Sequence, residues 1–247
     1  MMCEKAIEKD LSVLCITDHC EANAYYDQGY NRSIVQSCLL TQKAKAVFGD
    51  HIELLSGVEL GQPMQSLKNA EHALNACNYD FVLASLHNVS GKKDFYYLDY
   101  KTEKIGALLY VYYEEIIEMC KWGKFDSLAH LTYPLRYLTE MEKPFDFTPY
   151  LDLVDEIFKI IIKKNIALEI NASGLRQSLG ATMPSGELLE RYAKLGGTLV
   201  TIGSDAHYAR DIGVGIETAM VCAYEAGIKN ITVYKNRTAR TVPITFH

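Results

Sequence analysis

Six short apolar segments of this 247-residue chain each lead into a histidine or a carboxylate, and this pattern restricts the fold more than any other feature. The segments are short and almost wholly apolar, as are strands that are covered on both faces of a sheet. Longer amphipathic segments separate them, so we expect a parallel sheet with right-handed crossovers. The predicted strands are Ser12–Thr17, Ile52–Gly57, Asp80–Ser85, Phe125–Ala129, Ile166–Ile170 and Thr198–Gly203, with a weaker one at Ile231–Tyr234.

The segments between the strands carry apolar residues at helical spacing. The chain has neither an internal repeat nor a low-complexity linker, so we expect one domain over residues 1–247. Two long loops are expected to form lids or walls of a substrate site. The predicted helices are Met2–Asp10, Ile105–Trp122, Pro149–Lys164 and Ser185–Leu195, and the two loops are Asp94–Tyr100 and Tyr133–Phe147.

Composition excludes several classes of protein. The net charge is −6, which argues against a nucleic-acid partner. No apolar run approaches the roughly 20 residues of a membrane span, and the charged N-terminal segment is unlike a signal peptide. The seven cysteines are odd in number and have no CxxC spacing, so we expect reduced thiols in a cytoplasmic protein. For Cys20 we expect a buried thiol, with a metal ligand as the alternative.

The polar residues at the strand ends are the candidate site. In a barrel of parallel strands these ends meet on one face, where active sites lie. Each residue alone has a simpler explanation: a helix cap for Asp18, a solvated loop for Glu59, and core packing for a single histidine. Together they predict a metal site, because four of the seven histidines fall at predicted strand ends. The candidate ligands are His19, Glu59, His87, His130, Asp205 and His207.

The types of donor atom restrict the identity of the metal. Mixed nitrogen and oxygen donors without a cysteine pair favour Zn²⁺, Mn²⁺ or Fe over a structural zinc site. Six ligands are too many for one tetrahedral ion. A bridging carboxylate and a multinuclear hydrolytic site are therefore expected.

The motifs, in this order, resemble the PHP (polymerase and histidinol phosphatase) superfamily, and more closely its histidinol-phosphatase branch. The resemblance covers nearly the whole chain. It implies an α/β fold, a distorted TIM-like (β/α)7 barrel, that holds up to three divalent metal ions. The motifs that carry it are ITDH at Ile16–His19, GVEL at Gly57–Leu60, SLHN at Ser85–Asn88, AHLTYPLRY at Ala129–Tyr137, LEINASGLR at Leu168–Arg176 and GSDAH at Gly203–His207.

The resemblance also implies roles for the ligands. Glu59 would bridge two ions, with His87 and His130 completing one of them and Asp205 binding the other. His19 and His207 would hold the third ion. A metal-bound hydroxide would attack phosphorus, with Asp205 and His207 in the catalytic set. Asp18 would orient a ligand or carry a proton, since a metal-bound histidine usually needs a partner on its other ring nitrogen.

The implied substrate is a small phosphate ester, L-histidinol phosphate, hydrolysed during histidine synthesis. Arginine suits phosphate because its fork donates two hydrogen bonds. Arg176 is the first choice, Arg136 the second and Ser90 a third donor, with surface ion pairs as the alternative for the arginines. Asp94, Phe95 and Tyr96 are candidate walls for the amine and the imidazole ring.

One departure from the family pattern affects the expected activity. The family begins with a strand that carries His-x-His, whereas no histidine precedes His19 here. We therefore expect a barrel without its first strand, incomplete ligand sets for two of the three ions, and impaired turnover. The alternatives are a phosphoesterase for another small phosphate ester, or a non-catalytic remnant that binds metal or phosphoesters.

Overall fold

A parallel sheet surrounded by helices forms the body of the protein in a computed structural model, which describes residues 1–138 and 146–246. The helices are α1 (Met2–Glu8), α2 (Tyr30–Phe48), α3 (Leu67–Leu74), α4 (Ile105–Trp122), α5 (Leu151–Lys164), α6 (Gly186–Lys194) and α7 (Ile216–Glu225). The strands are β1 (Val13–Ile16), β2 (His19–Glu21), β3 (Glu53–Gly61), β4 (Phe81–Ser85), β5 (Ser127–Leu128), β6 (Ala167–Asn171), β7 (Val200–Gly203), β8 (Asn230–Lys235) and β9 (Thr238–Pro243).

The main sheet has the order β1-β3-β4-β5-β6-β7, and all its pairs are parallel. After a break at Thr17 and Asp18, β2 continues the line of β1 and pairs with the second half of β3. The strands β1 and β7 form the two edges, and no other described strand pairs with their outer sides. This architecture confirms the predicted α/β class, a distorted barrel in which the sheet is open along one side.

Helix α4 shows how the helical pattern becomes a buried interface. Its bounds match the predicted helix Ile105–Trp122. Leu109, Tyr112, Ile116 and Met119 recur every three or four residues and are almost fully buried. Apolar burial of this kind contributes about 25 cal/mol for each square ångström removed from water, so this face holds the helix in the main core. None of the described helices is long and apolar enough to cross a membrane.

Most predicted elements differ from the structure by a few residues at their ends, and three differences are larger. β3 extends to Gly61, so Glu59 lies within a strand rather than after one. The weak strand predicted at Ile231–Tyr234 is not part of the parallel sheet, because it pairs antiparallel with β9. The predicted loop Tyr133–Phe147 starts as a 3₁₀ turn at Tyr133–Tyr137, and its residues 139–145 lie outside the described part of the chain.

The hairpin β8–β9 lies against the N-terminal ends of the strands. Its turn residues, Asn236 and Arg237, have φ of 48° and 61°, the left-handed conformation of a two-residue hairpin turn. The Arg237 guanidinium pairs with Asp126, which directly precedes β5. Tyr234 packs on Phe81 with ring centroids 5.4 Å apart. The hairpin therefore covers the end of the barrel opposite the histidines.

Asp80 joins this hairpin to the sheet and to α2. Its carboxylate accepts from the backbone N–H of Ser56 at 2.9 Å and of Asn236 at 3.1 Å, and it pairs with Lys45 at 2.8 Å. Burial disfavours the charged form. The Lys45 ammonium and the two backbone donors outweigh it and hold the pKa of Asp80 below its usual range.

We predict that Asp80→Asn lowers the free energy of unfolding by about 2 kcal/mol at pH 7, because a buried, charge-assisted hydrogen-bond set is broken. The folded-state pKa is depressed. The stabilisation is therefore full above the unfolded pKa of about 3.9 and is lost as the pH falls through the folded value. Urea unfolding at pH 7 and at the most acidic pH where the protein stays folded measures both effects. Asp50→Asn, at an exposed turn, is the control. A cost no larger than the control's, or one that does not shrink in acid, contradicts the prediction.

Candidate metal centre

The parallel strands bring all six predicted ligands to one end of the sheet. His19 opens β2, Glu59 lies opposite it in the pairing register of β3, and the others follow β4, β5 and β7. The ring centroids of His19 and His87 are 5.1 Å apart, those of His87 and His130 5.2 Å, and those of His19 and His207 5.7 Å. The histidines therefore form one continuous cluster.

Glu59 is the centre of this cluster and is buried. Its Oε1 lies 3.1 Å from Nε2 of His87 and 3.2 Å from Nε2 of His130. Its Oε2 lies 3.8 Å from Nε2 of His19. Ligand atoms of His19, Glu59 and His87 all lie within 4.8 Å of one another. One carboxylate thus presents each of its oxygens to a different set of histidine nitrogens, as a bridging ligand does.

The electrostatics of the metal-free cluster reflect this concentration of carboxylates. The Glu59 carboxylate is the main cause that raises the pKa of His19 to about 9. Burial works against the charged form of His87, but Glu21 and Glu59 raise its pKa well above the usual value. Burial likewise opposes ionisation of Glu59, and the attraction of His19 and His87 lowers its pKa nonetheless. The centre therefore attracts positive charge, which a divalent cation supplies as well as protons do.

Asp205 and His207 form the outer part of the cluster. Asp205 Oδ1 lies 3.3 Å from His207 Nε2, and Ser173 Oγ donates to Asp205 Oδ2 at 2.9 Å. Asp205 has a φ of 49°, a left-handed conformation that non-glycine residues seldom adopt. Burial raises the pKa of the carboxyl, whereas the hydrogen bond from His207 lowers it below the usual range, which is the net effect. The loop after β7 thus holds an ionised carboxylate beside the other ligands.

Glu21 is a site residue that the sequence analysis missed. Its Oε1 lies 3.2 Å from Nδ1 of His19 and 3.0 Å from Nδ1 of His87. Burial opposes its charge, but attraction to His87 and the two histidine hydrogen bonds lower its pKa to about 2. The signal was present in the sequence, since residues two apart on a strand share a face. Glu169, also unassigned, accepts from the backbone N–H of His130 at 2.9 Å, and its pKa is raised to about 7, chiefly by burial.

Asp18 and Cys20 alternate with His19 and Glu21 along the chain. The Asp18 carboxylate accepts from the hydroxyl of Ser37 on α2 and lines a second cavity, between β1 and β7. Cys20 is fully buried in the apolar core, and burial raises the pKa of its thiol to about 12. This placement favours the buried thiol over the metal ligand for Cys20.

A cavity lies above the histidines, and Arg136 is the arginine that lines it. Its guanidinium packs over the rings of Tyr133 and Tyr137, 5.2 Å and 5.6 Å from their centroids, and its Nη1 lies 4.0 Å from Asp205 Oδ2. Arg176 instead donates to the backbone carbonyls of Asp205 at 3.1 Å and Val214 at 3.4 Å. Arg136 therefore faces the cavity, whereas Arg176 holds the loop that carries Asp205.

The other predicted substrate residues fall in different places. Asp94 and Tyr96 line the same cavity, and Asp94 accepts from the hydroxyl of Tyr133 at 3.1 Å. Phe95 is buried against Tyr112 and does not line the cavity. Ser90 is exposed and its backbone N–H donates to Glu115. The tyrosines and Asp94 give the cavity an aromatic and acidic wall.

Comparison with known proteins agrees with this geometry. The family model "PHP domain" matches residues 1–173. A probable histidinol-phosphatase of Thermotoga maritima is 32% identical over 207 residues, spanning 83% of this chain and 76% of that protein. A probable histidinol-phosphatase of Clostridium acetobutylicum is 30% identical over 183 residues, spanning 72% of this chain and 70% of the relative.

A solved structure shares the fold. Histidinol phosphate phosphatase of Lactococcus lactis, crystallised with zinc, L-histidinol and phosphate, aligns with a TM-score of 0.76 at 21% identity, covering 96% of this chain and 90% of that one. The family model spans most of the sequence and includes His19, Glu59, His87 and His130. With its strand-end histidines gathered around one buried glutamate, the chain belongs to the PHP family.

Proposed function

We propose that this protein is a zinc-dependent phosphomonoesterase that hydrolyses L-histidinol phosphate to L-histidinol and phosphate in histidine biosynthesis. The observation that carries the proposal is Glu59, whose two oxygens are directed to separate histidine nitrogens. The names of the Thermotoga and Clostridium relatives and the ligands of the Lactococcus structure support the substrate.

The residues present fit a divalent metal. His87 Nε2 and His130 Nε2 lie 3.3 Å apart and both approach one oxygen of Glu59, which is the convergence of lone pairs that a cation requires. His87, His130 and Glu59 would hold one ion. His19, His207 and Asp205 are the donors for others, up to three in all. When bound, such ions lower the pKa of water and stabilise negative charge on phosphoryl oxygens. The zinc of the Lactococcus structure supports zinc here, and Mn²⁺ or Fe suit the same donors.

The cavity residues explain how the ester is held. Arg136 presents its guanidinium beside Asp205, where it binds the phosphate and orients phosphorus over the cluster. Stacking on Tyr133 and Tyr137 limits the rotation of this guanidinium. Asp94, fixed by Tyr133 and by the backbone N–H of Tyr96 at 2.7 Å, supplies a negative charge for the substrate's ammonium group.

Asp205 and His207 complete the proposed catalytic set at the exposed edge of the cluster. His207 is 64% exposed and can exchange protons with water, while Asp205 is held by Ser173. Asp18 as an orienting or proton-carrying group stays a prediction. So do impaired turnover, a cytoplasmic location and the absence of a nucleic-acid partner. The net charge of −6 supports the last of these.

One prediction of the proposed function concerns the reaction itself. The purified, zinc-loaded chain should release inorganic phosphate from L-histidinol phosphate, and chelation of the metal should abolish the release. Glu59→Gln should reduce kcat/KM by at least about 100-fold, because the neutral amide removes the shared anionic ligand. Phosphate release is followed by a colorimetric assay, with other small phosphate esters in parallel.

The outcomes separate the alternatives. Faster hydrolysis of a different ester would change the assigned substrate but not the type of reaction. Zinc and phosphate binding without turnover of any ester would show the non-catalytic remnant and overturn the proposed enzyme. The size of the wild-type rate also measures whether turnover is impaired.

The second prediction distinguishes the two arginines. Arg136→Met should weaken inhibition by inorganic phosphate about 10- to 100-fold, since one charge-assisted contact contributes about 1.5–3 kcal/mol. Arg176→Met should change that inhibition constant less than threefold while lowering the melting temperature, because Arg176 donates only to backbone carbonyls in the structure. The opposite ranking would assign the phosphate to Arg176.

A further inference from the structure

We propose that Glu21 is the shared positioning residue of the metal centre: it fixes the ring orientation and tautomer of His19 and His87 together. The inference rests on the proposed metal site. Glu21 is not among the predicted ligands, and its carboxylate lies on the far side of both rings from Glu59.

Glu21 determines which ring nitrogen of each histidine carries the hydrogen. Glu21 Oε1 lies 3.2 Å from Nδ1 of His19 and 3.0 Å from Nδ1 of His87, and a carboxylate oxygen accepts hydrogen bonds, so both Nδ1 atoms are placed to donate. In a neutral imidazole the proton on Nδ1 leaves the lone pair on Nε2. The Nε2 atoms of His19 and His87 are the ones that approach Glu59. One carboxylate oxygen thus selects the metal-binding tautomer of two histidines.

The pairing of β2 with β3 places Glu21 in this position. His19 pairs with Glu59 and Glu21 with Gly61 in the register of β2 and β3. A Cβ on Gly61 would lie 1.9 Å from Glu21 Oε2, so only glycine leaves room for the carboxylate. Oε2 is buried and has no hydrogen-bond partner in the described structure. The carboxylate is therefore held by fit against the strand, with Oε1 directed at the two rings.

Glu21 orients histidines that approach both oxygens of Glu59. His87 approaches Glu59 Oε1, whereas His19 approaches Oε2. Loss of Glu21 frees both rings to turn or to change tautomer. Replacement of such hydrogen-bonding partners of metal ligands typically weakens metal binding by about 10- to 100-fold.

The test uses the full chain with Glu21→Gln, an isosteric change that keeps one acceptor and adds a donor. Zinc affinity is measured by competition with a chromophoric chelator, and the Nδ1–H protons of His19 and His87 are observed by NMR in the zinc-loaded protein. We expect a 10- to 100-fold weaker zinc affinity, and the loss or marked upfield shift of at least one Nδ1–H resonance. Glu53→Gln, at the opposite end of β3, is the matched control and should stay within twofold of wild type.

A second variant tests whether Gly61 leaves the space that the Glu21 carboxylate occupies, without altering Glu21 itself. Gly61→Ala should weaken zinc affinity as Glu21→Gln does, because its methyl group displaces the carboxylate. In a Glu21→Ala background, Gly61→Ala should add less than twofold, since the carboxylate it would displace is gone. If Gly61→Ala acted only by destabilising the fold, it would weaken zinc affinity to the same extent in both backgrounds. This comparison keeps the test usable if Glu21→Gln does not fold.

The outcomes are distinguishable from those of the proposed function. Wild-type protein that does not bind zinc would overturn the metal site itself. Tight zinc binding by wild type, with Glu21→Gln within twofold and both Nδ1–H resonances unchanged, would overturn the role of Glu21 alone.

Discussion

The buried carboxylate of Glu59 is the constraint on which the rest of the site depends. A charged carboxylate inside a barrel is costly unless positive charge and hydrogen bonds compensate it. Here His19, His87 and His130, contributed by three neighbouring segments of one sheet, supply that compensation. The parallel register makes it possible, because it places His19 directly opposite Glu59 and brings the following strand ends alongside.

The N-terminal ends of the strands, opposite the histidines, stabilise the fold. There Asp80 and Asp126 bind the turn of the hairpin β8–β9, and Tyr234 packs on Phe81. These contacts come from backbone N–H groups and from the Arg237 guanidinium, so both carboxylates are paired within the fold. At the histidine end, the carboxylates of Glu21 and Glu59 are paired instead with the titratable rings of His19, His87 and His130. One end of the sheet thus pairs its carboxylates within the fold, whereas the other gathers carboxylates and histidines that could hold cations, at the face where the active sites of barrel enzymes lie.

Much of this site could be predicted from the sequence, because parallel strands place the residues that follow them at one edge of the sheet. The curl of the sheet then brings all six predicted ligands together, including His19 and His207 from its two ends. The sequence could not fix the direction of long side chains. Arg136 and Arg176 both lie in 3₁₀ turns, yet of these two only Arg136 lines the cavity. The guanidinium of Arg176 instead donates to two backbone carbonyls. Glu21 was missed because the predicted strand ends at Thr17, whereas a further strand of three residues, β2, follows it in the structure. The strand β9 was missed because its turn, Asn236–Arg237, lacks the glycine that marks most such hairpins.

The central claim is that histidine and carboxylate side chains, without cysteine, bind the metal. X-ray absorption spectroscopy at the zinc edge of the loaded protein tests it most directly. The account predicts nitrogen and oxygen neighbours at about 2.0–2.1 Å, with the outer-shell scattering of several imidazole rings. A sulfur neighbour at about 2.3 Å would place a thiol such as Cys20 on the metal and contradict the account.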